Sequence, residues 1–153
     1  MPRTIATNTD VDREALLEFV RPRHRMVLLT PRSDGGTQAS PVTAGVDAQG
    51  RIVISTYPER AKAANVARGG KASVVVLSDD FDGPWVQVEG DAELLTLPDA
   101  LDPLVEYYRS ISGEHPDWAE YREAMARQGK ALIRITPTRW GPVATGGFPA
   151  HLA

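Results

Sequence analysis

The sequence predicts an α+β domain, mainly β, in which about six short strands form a small barrel or sheet with helices set around it. Three observations lead there. Short apolar runs separated by Gly/Asp turns recur between residues 25 and 55; an alternating run covers 85–94; and the helical patterns stand before, between and after these runs rather than in regular βα alternation.

In chain order, Thr9-Asp10 ahead of Val11, Ala15, Leu16, Phe19 and Val20 predicts a capped amphipathic helix that Pro22 ends. Arg25–Thr30 is a short strand, stopped by Pro31 and the turn residues Ser33-Asp34-Gly35-Gly36. Gln38–Val46 alternates as a second strand, in which Pro41 points to an edge or a bulge. Asp47–Gly50 is a turn before Arg51–Ser55, so the three strands read as an antiparallel meander. Pro58 at a first helical position, then Ala61, Ala63, Ala64, Val66 and Ala67, predict a short helix closed by Gly69-Gly70. Ala72–Leu77 is a buried strand, followed by an acidic loop over 78–83 and the alternating strand at 85–94, where Gly90 signals a bulge. Residues 98–110 and 116–127 read as helices, 131–135 as a last strand, and the remainder as a Gly/Pro-rich tail containing Trp140.

Composition narrows the function. The chain has 153 residues, a length that suits one domain, with a core over about 11–140 and a tail from 141. It has no cysteine, which excludes disulfides, thiolate nucleophiles and Cys-ligated metals. A net charge of −3 speaks against nucleic acid as a partner. No apolar run approaches membrane-spanning length and no secretory pattern opens the chain, so the expectation is a cytoplasmic protein without a membrane partner. His24, His115 and His151 lie far apart with no ligand spacing, so no metal site is expected. GxSxG, GxGxxG and GxxxxGK[ST] are all missing, which removes the main support for triad hydrolysis and for Rossmann or P-loop nucleotide binding.

One local feature stands out. Residues 60–71 hold Arg60, Lys62, Arg68 and Lys71 and no acid, within an acidic protein. Cations in a first helical turn oppose the helix dipole, unless an anion sits between them and the free amides. The two readings are a phosphate or carboxylate site and a solvated basic face. Trp85 opens the alternating strand and belongs to the core or a subunit interface; Trp140 either docks on a neighbour or walls a pocket.

The ordered set Ile54-Ser55-Thr56-Tyr57-Pro58-Glu59-Arg60-Ala61-Lys62-Ala63-Ala64-Asn65-Val66, then a strand, then Trp85-Val86-Gln87-Val88-Glu89-Gly90-Asp91-Ala92, resembles the pyridoxamine 5′-phosphate oxidase-like superfamily. Gly113–Trp118 and Tyr121–Met125 are similar to its branch that uses the deazaflavin coenzyme F420. The resemblance implies a six-stranded antiparallel split β-barrel, the FMN-binding split barrel, with peripheral helices. It implies that Arg60 and Lys62 hold the cofactor phosphate, that Ser55 and Thr56 border the ring and ribityl chain, and that Ser40 contacts the ring from the neighbouring strand. It places Trp85 and Trp140 near the interface of a homodimer whose two sites draw on both subunits, and Asn65 in a structural position. The implied activity is hydride transfer from reduced F420 to a conjugated double bond or imine of a small-molecule substrate. No catalytic side chain is singled out. FMN is the alternative cofactor, with Arg68 and Lys71 favouring the longer F420, and a non-catalytic carrier is the alternative role. The chain ends Thr138-Arg139-Trp140-Gly141-Pro142, without the oxidase's C-terminal substrate-binding arginine pattern.

Overall fold

The computed structural model describes residues 4–152. Its strands are β1 (Thr7–Thr9), β2 (Arg25–Pro31), β3 (Thr37–Val46), β4 (Ile52–Thr56), β5 (Lys71–Val76), β6 (Val86–Leu95), β7 (Ala131–Trp140) and β8 (Val143–Thr145). Four helices accompany them: α1 (Arg13–Val20), α2 (Ala61–Gly69), α3 (Leu101–Ser112) and α4 (Trp118–Gln128). Six strands close into an antiparallel barrel in the order β2-β3-β4-β7-β6-β5, and β1 pairs with β8 as a separate two-stranded sheet.

Local chemistry explains the hairpins. Between β2 and β3, Gly35 takes φ +86° and the Asp34 carboxylate accepts the Gly36 amide at 2.8 Å. Between β3 and β4, Asp47 is 7% exposed and accepts from the Gln49 and Arg51 amides and from Arg51 Nε at 2.7 Å, so its burial is fully compensated.

Alternation then divides the apolar residues between two cores. Ile52 and Ile54 of β4 point into the barrel with Met26, Leu28, Val74, Val88 and Ile133, while Val53 and Leu132 point outward beneath α3 and α4. Gly45 lets α3 approach β3, since a Cβ there would stand 2.1 Å from Ser110 Oγ. At Gly90 the ladder of β6 and β7 shifts register between Glu89 and Gly90, which is the expected bulge.

The structure corrects several boundaries. The first helix begins at Arg13 with Asp12 as its cap, accepting from the Ala15 amide, because Thr7–Thr9 are paired with β8. α2 begins at Ala61 rather than at Pro58, since Tyr57–Arg60 forms a turn closed by Arg60 N–H to Tyr57 O. The last barrel strand runs on to Trp140 instead of stopping at Ile135. Pro137 is accommodated because it stands at the bulge, opposite Gly90. The tail after it contains β8.

Candidate functional site

The barrel is split on one side. β3 pairs with β2 from Thr37 to Thr43, but with β4 only over Ala44–Val46, while β4 continues along β7 to Thr56. Beyond Ala44 and Ile54 the two strands part. The Ala44 amide donates to His24 O at 2.8 Å, so even-numbered residues of this half of β3 turn their backbone toward β2 and odd ones toward the opening. Pro41 therefore lacks its N–H on the open edge, as a proline in a strand should, and Thr43 O on the same side is held by the Tyr107 hydroxyl at 2.8 Å.

α2 lies across this end of the barrel against β2 and β6, with Val66 in the core. Beneath it the interior turns polar. Asn65, 6% exposed, donates from Nδ2 to Thr30 Oγ1 at 3.1 Å and accepts from Arg68 at 2.8 Å, which makes it structural as expected. Among the described residues two buried hydroxyls in the barrel have no partner, Ser40 Oγ and Thr56 Oγ1. Ser40 faces inward opposite Leu28, and Thr56 is 4% exposed on the inward face of β4. Ser55 belongs to the other face, in register with Leu132, so strand alternation keeps its hydroxyl away from that of Thr56.

The cationic run divides. Arg68 also holds Pro31 O at 2.9 Å, and Lys71 is paired with Asp91. Arg60 and Lys62 are different: among the described residues neither forms an ion pair with a carboxylate. Arg60 is the α2 N-cap, without a side-chain cap bond and with no acid in the first turn, so the first-turn amides are left to an outside acceptor. A third cation joins them from a distant segment. Thr56 pairs with Ala131, which sets Lys130 beside Tyr57; its Nζ stands 4.2 Å from the Tyr57 ring centre, and Arg60 Cζ 5.8 Å from it. Desolvation, then repulsion from Arg60 and Lys130, holds the Lys62 ammonium below the usual lysine range. Nothing local marks Lys130 in the sequence; only the β4–β7 register reveals it.

Trp85 and Trp140 occupy the opposite end. Leu95 of β6 pairs with Leu132, so Trp85 lies beyond the far end of β6 and Trp140 at the far end of β7, about 30 Å along the strand from Ala131. Trp140 packs against the barrel core and donates from Nε1 to Val11 O at 2.8 Å. Trp85 is 40% exposed and, with Phe81, Leu77 and Asp82, lines an outer-wall cleft of about 630 Å³. A second cleft of about 520 Å³ runs over Leu29, Ser73, Gln87, Glu89 and Arg139 on the same wall. Neither hollow is lined by the three cations. One chain therefore places Thr56, Arg60 and Lys62 at and beyond the end of β4 and Ser40 on the stretch of β3 across the split, and leaves Trp85 and Trp140 at the far ends of β6 and β7.

His115 is packed among Tyr108, Trp118 and Tyr121, and His24 Nδ1 lies 2.9 Å from Ala44 O. Among the described residues no group of three or more His, Asp or Glu side chains gathers to hold a metal ion, and no helix is long and apolar enough to cross a membrane.

A closed antiparallel barrel, split between two strands and capped by a helix whose N-terminus gathers unpaired cations, defines the class of split-barrel proteins. Residues 12–144 match the family described as pyridoxamine 5′-phosphate oxidase, and the chain belongs to that family. Solved structures share the fold at low identity. A conserved hypothetical protein from Mycobacterium tuberculosis is 21% identical, with TM-score 0.73, over 94% of this chain and 89% of that one. A protein described as an F420 reductase is 18% identical, with TM-score 0.60, over 80% and 94%. An FAD and heme binding protein from Mycobacterium smegmatis is 17% identical, with TM-score 0.68, over 95% and 76%. The family thus includes oxidoreductases, on a barrel also used by flavin and haem binders.

Proposed function

We propose that this protein is an F420-dependent oxidoreductase that reduces a conjugated double bond or imine of a small organic substrate. The observation carrying this reading is the set of three cations, Arg60, Lys62 and Lys130, without carboxylate partners at an uncapped helix N-terminus beside the barrel's split. The unpartnered Ser40 and Thr56 hydroxyls add unmet hydrogen-bonding capacity at the same end.

In this reading Arg60 and Lys62 neutralise the cofactor phosphate, together with the free amides of α2. Ser40 and Thr56 supply hydroxyls to the ribityl chain and ring, and Ser55 contributes through its backbone. The deazaflavin, when bound, supplies the hydride. The protein orients it and keeps its ring edge dry. Trp85 and Trp140 act from a second copy of the chain that covers the outer wall, making a homodimer in the cytoplasm with two equivalent sites. Trp85 and Phe81, 40% and 85% exposed, are the surface such a copy would bury.

FMN is the second reading, favoured by a specific observation. Arg68 and Lys71 are already engaged by Asn65, Pro31 and Asp91, so they do not serve a long anionic tail. Fluorescence titration of the purified protein with F420 and with FMN separates the two. Tighter binding of F420, with turnover of an activated alkene or imine acceptor, is the expected result; binding without turnover of any acceptor defines a carrier.

A further inference from the structure

We propose that Lys130, steadied on the ring of Tyr57, is the third binding cation of the anion site, and that this site selects a phosphoryl group over a carboxylate. The inference rests on the phosphate reading given above and adds to it two residues that lie outside the helix motif.

The register is the first argument. Pairing of Thr56 with Ala131 makes Lys130 and Tyr57 the next opposed residues, so the barrel ladder itself delivers this lysine to the α2 N-terminus. The second argument is the platform. A lysine ammonium is a flexible point charge that loses much rotamer freedom when fixed. Here its Nζ lies 4.2 Å from the Tyr57 ring centre, and the same ring holds Arg60 at 5.8 Å. One aromatic ring thus meets cations from two segments and offsets part of their mutual repulsion. Tyr57 is a positioning residue in this arrangement.

The third argument is the missing counter-charge. Arg60, Lys62 and Lys130 have no carboxylate in ion-pair reach among the described residues, although the exposed Glu59 neighbours Arg60 in sequence. Three cations and free helix amides offer more donors than the two oxygens of a carboxylate can take. A phosphoryl group, with its additional oxygen and charge, matches them better.

Thermal unfolding of the full chain in rising inorganic phosphate, against acetate at matched ionic strength, provides the test. Phosphate is expected to raise the melting temperature of the wild type and acetate is not. Lys130→Met, which keeps the stem on the ring and removes the charge, should raise the half-saturating phosphate concentration about tenfold, the loss of one charge-assisted contact. Tyr57→Phe should behave as wild type, Tyr57→Leu should weaken phosphate several-fold, and Lys71→Met, which breaks only the Asp91 pair, should change nothing. Titration with FMN and with F420 adds the ester arms: Lys130→Met should weaken both, and FMN, a phosphate monoester with one more free oxygen than the diester of F420, at least as much. If it weakens F420 alone, Lys130 meets the tail and the inference fails. If Lys130→Met titrates like wild type while Arg60→Ala is weakened, the inference fails and the cofactor reading stands. If phosphate, FMN and F420 all fail to protect the wild type, both fall.

Discussion

Replacing Thr56 by valine should make the ligand-free protein more stable and its cofactor binding weaker. Thr56 is 4% exposed on the inward face of β4, and its Oγ1 has no hydrogen-bond partner. A buried hydroxyl left unsatisfied costs roughly 1–3 kcal/mol, and a net hydrogen bond contributes only about 1 kcal/mol. Valine has the same branched shape and suits the strand. Exchanging the buried hydroxyl for a methyl on the inward face of β4 should therefore gain about 1–2 kcal/mol. For a domain of this size that is a rise of roughly 2–8 °C in melting temperature. The control is Ser55→Ala, on the other face of the strand, which should not gain. With saturating cofactor most of that gain disappears: loss of one hydrogen bond should weaken binding about fivefold, or about 1 kcal/mol. The assay is urea and thermal unfolding with and without ligand, taking the midpoint shift at unchanged m-value as the stability change. A Thr56→Val protein less stable than wild type without ligand would show that the hydroxyl is satisfied in solution, and would refute the reasoning.

Other outcomes follow from the same geometry. Gly90→Ala should lose about 3 kcal/mol in urea unfolding, because its Cβ would stand 2.1 Å from the backbone oxygen of Thr136; unchanged stability would remove the close approach at the bulge. Asp12→Ala should cost about 1 kcal/mol as a lost helix cap, whereas Asp10→Ala should be neutral; the reverse result would restore the cap position predicted from sequence. The depressed Lys62 ammonium gives a signed pH dependence. Between its folded value and 10.5 the unfolded chain holds more protons, so stability rises with pH across that window and Lys62→Met abolishes the rise. A bound anion pulls the same group back toward its ordinary value, so phosphate affinity should strengthen as pH falls through that window.

What could be read in the sequence was what short-range chemistry decides. Asp34-Gly35 and Asp47–Gly50 determine their hairpins through bonds two to four residues long, Gly90 marks the bulge, and Pro41 lies on an open edge as its missing amide requires. Arg60 and Lys62 were visible because their signs oppose the helix dipole locally. The rest depends on partners far along the chain. Thr7–Thr9 look like a helix entrance until Val143–Thr145 pair with them. Pro137 looks like a strand end until Gly90 stands opposite. Lys130 resembles any lysine before a strand until Ala131 pairs with Thr56. The hydroxyls of Ser55 and Thr56, adjacent in sequence, were expected to line one cofactor, and alternation turns them to opposite faces. Arg68 and Lys71 shared the cationic run, yet their partners at Asn65, Pro31 and Asp91 separate them from the site.

The central claim is that a phosphate-bearing redox cofactor is held by the cations at the α2 N-terminus. The most direct test is titration of the purified protein with F420 and FMN, for wild type and for the Arg60→Ala/Lys62→Ala variant, alongside their ligand-free melting temperatures. The account predicts tight F420 binding in the wild type, and a loss of well over tenfold in the variant with little change in ligand-free melting, since neither side chain forms an ion pair or a helix-cap bond. Wild-type affinity retained in the variant would contradict it, and would return Arg60 and Lys62 to a solvated basic face.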